Sequence, residues 1–160
     1  MGNNAISMLI TDTPGDTIHL TAVSMTNAVF VFLIYDVTDK KSFENLDSEY
    51  IQCFINNCKH ENRILYIIGN KSENGTPRQV SEDQGRELAE SYNFKYFETS
   101  AKTGANVEKV FTSALEEVCK NLANNKYDPK TFEKVGIKKL AWLLRKLFCI
   151  FRTNIIYYPF

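Results

Sequence analysis

Residues 28–35 read AVFVFLIY, eight positions without a charged side chain, and they run directly into Asp36-Val37-Thr38-Asp39. A short, continuous run of this kind predicts a strand, and the lack of alternation predicts one covered on both faces, as in a parallel sheet. Residues 64–68 (ILYII) repeat the pattern, residues 94–97 (FKYF) give a third strand, and residues 6–10 give a shorter one ending at Thr11-Asp12-Thr13-Pro14-Gly15. Helical spacing fills the intervals. Phe43, Leu46, Tyr50 and Phe54 recur at threes and fours, and Ser81-Glu82-Asp83-Gln84 is a capping box whose helix should bury Leu88, Ala89 and Tyr92. Val107, Val110, Phe111, Ala114, Leu115 and Val118 form an amphipathic stripe. Strands alternating with helices predict an α/β fold with a doubly wound, mainly parallel sheet.

A chain of 160 residues has room for one domain and a tail. With 44% hydrophobic and 24% charged residues it is too apolar for disorder, and its net charge of zero points to no nucleic acid. That zero hides a split. Residues 1–125 carry 11 Lys and Arg against 17 Asp and Glu, whereas residues 126–160 carry 8 against 2. Residues 121–129 (NLANNKYDP) read as a linker because Asn, Asp and Pro favour turns, so the chain divides into a body (1–120), a linker (121–136) and a basic amphipathic tail (137–160). On a helical wheel Ile137, Leu140, Leu144, Leu147 and Phe151 fall within one apolar arc, with Lys138, Lys139, Arg145, Lys146 and Arg152 outside it. Such a helix, over residues 137–152, suits an anionic membrane surface or packing against the body.

Four cysteines (Cys53, Cys58, Cys119, Cys149) occur behind a start, Met1-Gly2-Asn3-Asn4, with no basic n-region and no long apolar stretch. That predicts a reducing compartment and free thiols, and without a CxxC spacing no zinc site with His19 or His60 is expected. Ile6 stands where an N-myristoylation signal wants Ser or Thr.

In α/β sheets, ligands bind at the carboxyl ends of the strands, so the residues after each apolar run carry the functional signal. They are Asp12-Thr13-Pro14-Gly15, Gly69-Asn70-Lys71-Ser72-Glu73 and Glu98-Thr99-Ser100-Ala101-Lys102. These three segments resemble the DTAGQ, NKxD and ETSAK motifs of Ras-superfamily small GTPases. Tyr35-Asp36-Val37-Thr38-Asp39 with Ser42-Phe43 resembles the YDVTDxxSF stretch of the Rab family. The resemblance spans residues 6–118. It implies a small-GTPase fold, GTP or GDP with Mg²⁺ as ligands, vesicle and membrane traffic as the setting, Rab effectors or regulators as partners, and a cytoplasmic, endomembrane-peripheral location. By resemblance the guanine-binding set is Asn70, Lys71, Glu73, Ser100, Ala101 and Lys102. Asn70 would tie the base loop to its neighbours, Lys71 would lay its stem over the purine, and the Ser100–Lys102 turn would offer a backbone N–H to the guanine carbonyl. Asp12 would hold Mg²⁺ through water, and Gly15 would meet the γ-phosphate.

The departures matter as much. Glu73 stands where the family has aspartate, one methylene longer, so it must fold back to reach the base edge. Asp16 replaces the glutamine that orients the attacking water and Pro14 replaces the alanine, which leaves no catalytic residue and predicts crippled hydrolysis. The seven glycines include no pair five apart, so the chain holds no GxxxxGK phosphate loop. Each charge-assisted phosphate contact is worth about 1.5–3 kcal/mol, and losing several predicts weak nucleotide binding or none. The chain ends Ile155-Ile156-Tyr157-Tyr158-Pro159-Phe160, not in prenylated cysteines, and Cys149 is the candidate for lipidation instead.

Three readings stay open at this level. The first is a degenerate Rab-like GTP-binding protein that keeps the guanine-reading half of the site. The second is a membrane-associated interaction module that binds no nucleotide, and the third is part of a longer, active Rab GTPase. The fold expected throughout is a truncated, doubly wound sheet of the small-GTPase type with a C-terminal basic amphipathic helix. In the family's strand order the absent first strand lies between the strand ending at Asp12 and the strand at 28–35. Residues 6–10 are therefore expected to slide into that place and pair in parallel with 28–35, across a right-handed crossover through 17–26, carrying Asp12 with them.

Overall fold

Four strands form where the apolar runs predict them: β1 (Met8–Asp12), β2 (Phe30–Asp36), β3 (Ile64–Asn70) and β4 (Lys95–Thr99). A fifth, β5 (Ile155–Pro159), comes from the tail. The computed structural model describes residues 8–12, 28–57, 63–73, 75, 77–124, 126 and 155–159. The proposed tail helix at 137–152, the crossover at 17–26, and Gly15, Asp16 and Cys149 lie outside them.

The sheet order is β1-β5-β2-β3-β4. β2, β3 and β4 are mutually parallel, as the uninterrupted apolar runs of β2 and β3 predict, and β5 is antiparallel to both β1 and β2. The expected slide of residues 6–10 does not occur. β1 remains in the outer position and β5 fills the gap, pairing Ile155 with Asp12 on one side and with Phe32 on the other. An apolar segment of the tail, Ile-Ile-Tyr-Tyr, is rich in strand-favouring residues and answers the same demand for backbone partners that the slide was meant to meet.

Alternate residues of β2 feed two cores. Val31, Leu33 and Tyr35 pack with Leu65 and Ile67 beneath the helical run that follows β2 and beneath α3 (Glu82–Ser91). Phe30 and Phe32 pack with Tyr66 and Ile68 beneath α4 (Val107–Ala123), whose stripe Val107, Val110, Phe111, Ala114 and Val118 is buried. Every residue of β3 is buried, which is why its sequence shows no alternation. The run after β2 divides into α1 (Lys40–Asn45), a π-helical turn (Leu46–Ile51) and α2 (Gln52–Asn57). The wider π turn brings Leu46, Tyr50 and Ile51 together into the core. Ser81 caps α3 as its capping box predicts. Its Oγ accepts from the Gln84 N–H at 3.2 Å, and the Gln84 side chain accepts from the Ser81 N–H at 2.9 Å. Ala89 is buried, with Leu88 and Tyr92 half-buried against it. α4 continues through Asn121 to Ala123.

Candidate functional site

β2 and β3 end level, with Asp36 the register partner of Asn70, and β4 ends beside them at Thr99. Three loops therefore leave the sheet at one edge. Asn70 is buried, and its Oδ1 accepts from the Ala101 N–H at 3.1 Å and from the Thr99 hydroxyl at 3.3 Å. Its backbone carbonyl accepts from the Val37 N–H at 3.0 Å. One side chain thus binds the loops after β3 and β4, and its backbone binds the loop after β2. Ser72 adds to this, donating its backbone N–H (3.1 Å) and its hydroxyl (3.0 Å) to the Thr99 carbonyl.

Lys71 has a φ of 68°, left-handed backbone that is uncommon for a residue with a Cβ. Its Nζ forms an ion pair with Asp36 Oδ2. Asp36 Oδ1 in turn accepts from the Thr38 N–H at 2.9 Å and the Thr38 hydroxyl at 2.6 Å. Burial pushes the Asp36 carboxyl upward, but hydrogen bonds from Lys71 and Thr38 outweigh it and hold the group below the ordinary carboxylate range.

Glu73 bends toward the loop after β4. A hydrogen bond from the Ser100 side chain is the main influence holding its carboxyl low, reinforced by the charges of Lys102 and Lys71. Ser100 Oγ also accepts from the Thr103 N–H at 3.1 Å, and the turn closes through Gly104 N–H to the Ser100 carbonyl at 2.8 Å. The site residues picked from the sequence around β3 and β4 (Asn70, Lys71, Glu73, Ser100, Ala101 and Lys102) therefore sit on two loops joined by hydrogen bonds. The Ala101 N–H is directed at Asn70 and not into the open edge.

Asp12 stands apart from them. It is level with Phe32, four residues short of Asp36 along the strand direction, and β5 and β2 separate it from β3. At about 4.8 Å per strand, that places β1 roughly 14 Å from the strand carrying Asn70. Among the described residues no group of three or more His, Cys, Asp and Glu side chains could hold a metal ion.

The sequence profile of the Ras family matches residues 1–120. Ras-related protein Rab-8B of Homo sapiens is 30% identical over 153 residues, covering 94% of this chain and 73% of the relative. The chain belongs to the Rab branch of the Ras family. Ras-related protein Rab-3 of Caenorhabditis elegans is 32% identical over 126 residues, 78% of this chain and 57% of its own length. Ras-related protein Rab-27B of Bos taurus is 39% identical over 103 residues, 64% of this chain and 47% of its own. The chain thus spans about half to three fifths of the length of most such relatives.

For this Rab-family chain, the family's ligands are a guanine nucleotide and Mg²⁺. The described residues fit the base: an asparagine that locks two loops, a lysine stem, and a carboxylate held ionised beside a serine. Asp12, the metal-side residue named from the sequence, stands on β1 with β5 and β2 between it and those loops. Asp36 is the residue that the sequence reading quoted without giving a role. No local signal gives that role, because only the register of β2 on β3 brings the carboxylate level with Asn70 and the lysine that follows it.

Proposed function

We propose that this chain is a Rab-type guanine-nucleotide-binding protein of vesicle and membrane traffic that recognises the base and holds the phosphates weakly. The observation that carries the reading is Asn70, whose side chain joins the NKSE loop to the TSAK turn. That bond preorganises the carboxylate of Glu73, which is needed to accept the two adjacent N–H groups of guanine. Asn70, Lys71, Glu73, Ser100, Ala101 and Lys102 form the base site in this reading. Asp12 and Gly15 are what the chain retains of the phosphate and Mg²⁺ side, with Asp16 where a catalytic glutamine would stand. Rab effectors or regulators are the protein partners, and the basic segment 137–152 meets an anionic membrane surface, with Cys149 available for lipidation.

Calorimetry with GTP, GDP and guanosine tests the nucleotide claim. The three should bind weakly and alike, because what is recognised is the base. Submicromolar binding of GTP, with guanosine far weaker, would show that phosphate recognition dominates and would overturn the reading.

A further inference from the structure

The sheet is joined across its middle by its last strand. Among the described residues β1 has no strand neighbour except β5, which it meets over five register pairs, from Met8 with Pro159 to Asp12 with Ile155. β5 meets β2 over three: Phe30 with Tyr157, Val31 with Ile156 and Phe32 with Ile155. β1 and β2 therefore frame a slot one strand wide that accepts an antiparallel strand through main-chain hydrogen bonds on both edges. Recognition of this kind asks for an extended, strand-favouring segment. Ile-Ile-Tyr-Tyr-Pro supplies one, and Pro159, lacking an N–H, suits the end of a ladder.

Residues 124–154 separate the end of α4 from β5, a connection of 31 residues. A connection of that length can reach about 100 Å when extended. It is long enough to bring the strand to its own slot or to the slot of another copy.

We propose that the slot between β1 and β2 is a strand-exchange site, through which two copies of this chain associate by reciprocally donating Ile155–Pro159. The exchanged pair makes the same backbone contacts as the closed chain, so the balance between them is set by concentration. Closure within one chain is unimolecular and exchange is bimolecular, so closed monomers dominate in dilute solution and exchanged dimers accumulate as the chain is concentrated. The partner is a second copy and not a foreign strand, because the chain's own segment already matches both edges in register.

Cysteines at the register partners Thr11 and Ile156 test this in the full-length protein. A Thr11→Cys/Ile156→Cys double variant should form an intrachain disulfide in dilute solution. A mixture of full-length Thr11→Cys and isotope-labelled full-length Ile156→Cys should form an interchain link between those two positions. Peptide mass spectrometry distinguishes it from links to native cysteines, and its ratio to unlinked chain should rise about tenfold per tenfold increase in concentration. The pair Leu9→Cys with Tyr158→Cys, also in register, repeats the measurement should either first substitution disturb folding. An intrachain link with no interchain link at any concentration overturns the exchange. No link in either arrangement with either pair overturns the slot itself.

Discussion

Asp36 and Gly85 show what single residues contribute. Asp36 is held ionised by Lys71 and Thr38, so its folded pKa lies below the ordinary value of 3.8. A depressed carboxylate adds stability above the unfolded pKa and loses it as pH falls through the folded one. Asp36→Asn should therefore be less stable than the parent at pH 6, with the gap closing as pH falls below the ordinary carboxylate range. Denaturant midpoints measured across that range check it, and a gap that stays constant would assign the loss to packing. Gly85 lies under the buried Tyr35 and the half-buried Tyr96, which share a hydrogen bond of 3.0 Å, and Tyr96 donates to Glu98 Oε1 at 3.0 Å. A Cβ on Gly85 would meet the Tyr35 hydroxyl at 2.4 Å and the Tyr96 ring at 2.6 Å. Burial raises the pKa of both phenols, so both keep their protons at neutral pH. Gly85→Ala should cost about 1–3 kcal/mol, read as a lowered Tm, and Tyr35→Phe in the same background should recover part of it.

At the level of elements, α4 packs its buried stripe against β2 and β3. Phe111 is 2% exposed and meets Phe32 edge-on with ring centroids 5.2 Å apart. Phe111→Ala should destabilise the fold by about 3–5 kcal/mol, whereas Ser81→Ala, which removes only the cap of α3, should cost about 1 kcal/mol. Equilibrium unfolding of both variants tests the ranking, and equal losses would mean that α4 packs less tightly than the structure implies. The same elements explain what could be read in advance. β2 and β3 were legible because burial on both faces leaves no polar position to interrupt the run. α3 was legible because its cap is chemically distinctive. The loops after β3 and β4 were legible as motifs. The role of Asp36 was not, since a strand register is needed to bring it opposite Asn70. β5 was missed for a different reason. Ile-Ile-Tyr-Tyr-Pro is a plausible strand locally, but nothing local shows that a gap 120 residues upstream awaits it, and the nearer candidate at residues 6–10 satisfied the same backbone argument.

For the whole molecule, the tail joins two roles, because residues 137–160 carry both the basic segment and β5. Deleting the tail would remove charge and sheet partner together. Replacing Lys138, Lys139, Arg145 and Lys146 with glutamine separates them. The variant should keep the protection of β1 against hydrogen exchange and lose binding to anionic liposomes, and the parent's binding should fall as salt rises. Retained binding by the variant would assign the interaction to apolar contact. β5 also orders events in time. Met8–Asp12 is synthesised well before its partner, because Ile155–Pro159 follows 143 residues after Asp12. At about 5–20 residues per second, the interval is roughly 7–30 s. During that interval β2, β3 and β4 can zip together, each new strand adding to the one before, while β1 has no neighbour in this sheet. Synthesis therefore delivers a chain whose interior is built from the middle outward, and β1, made before β2, β3 and β4, is sewn in after them.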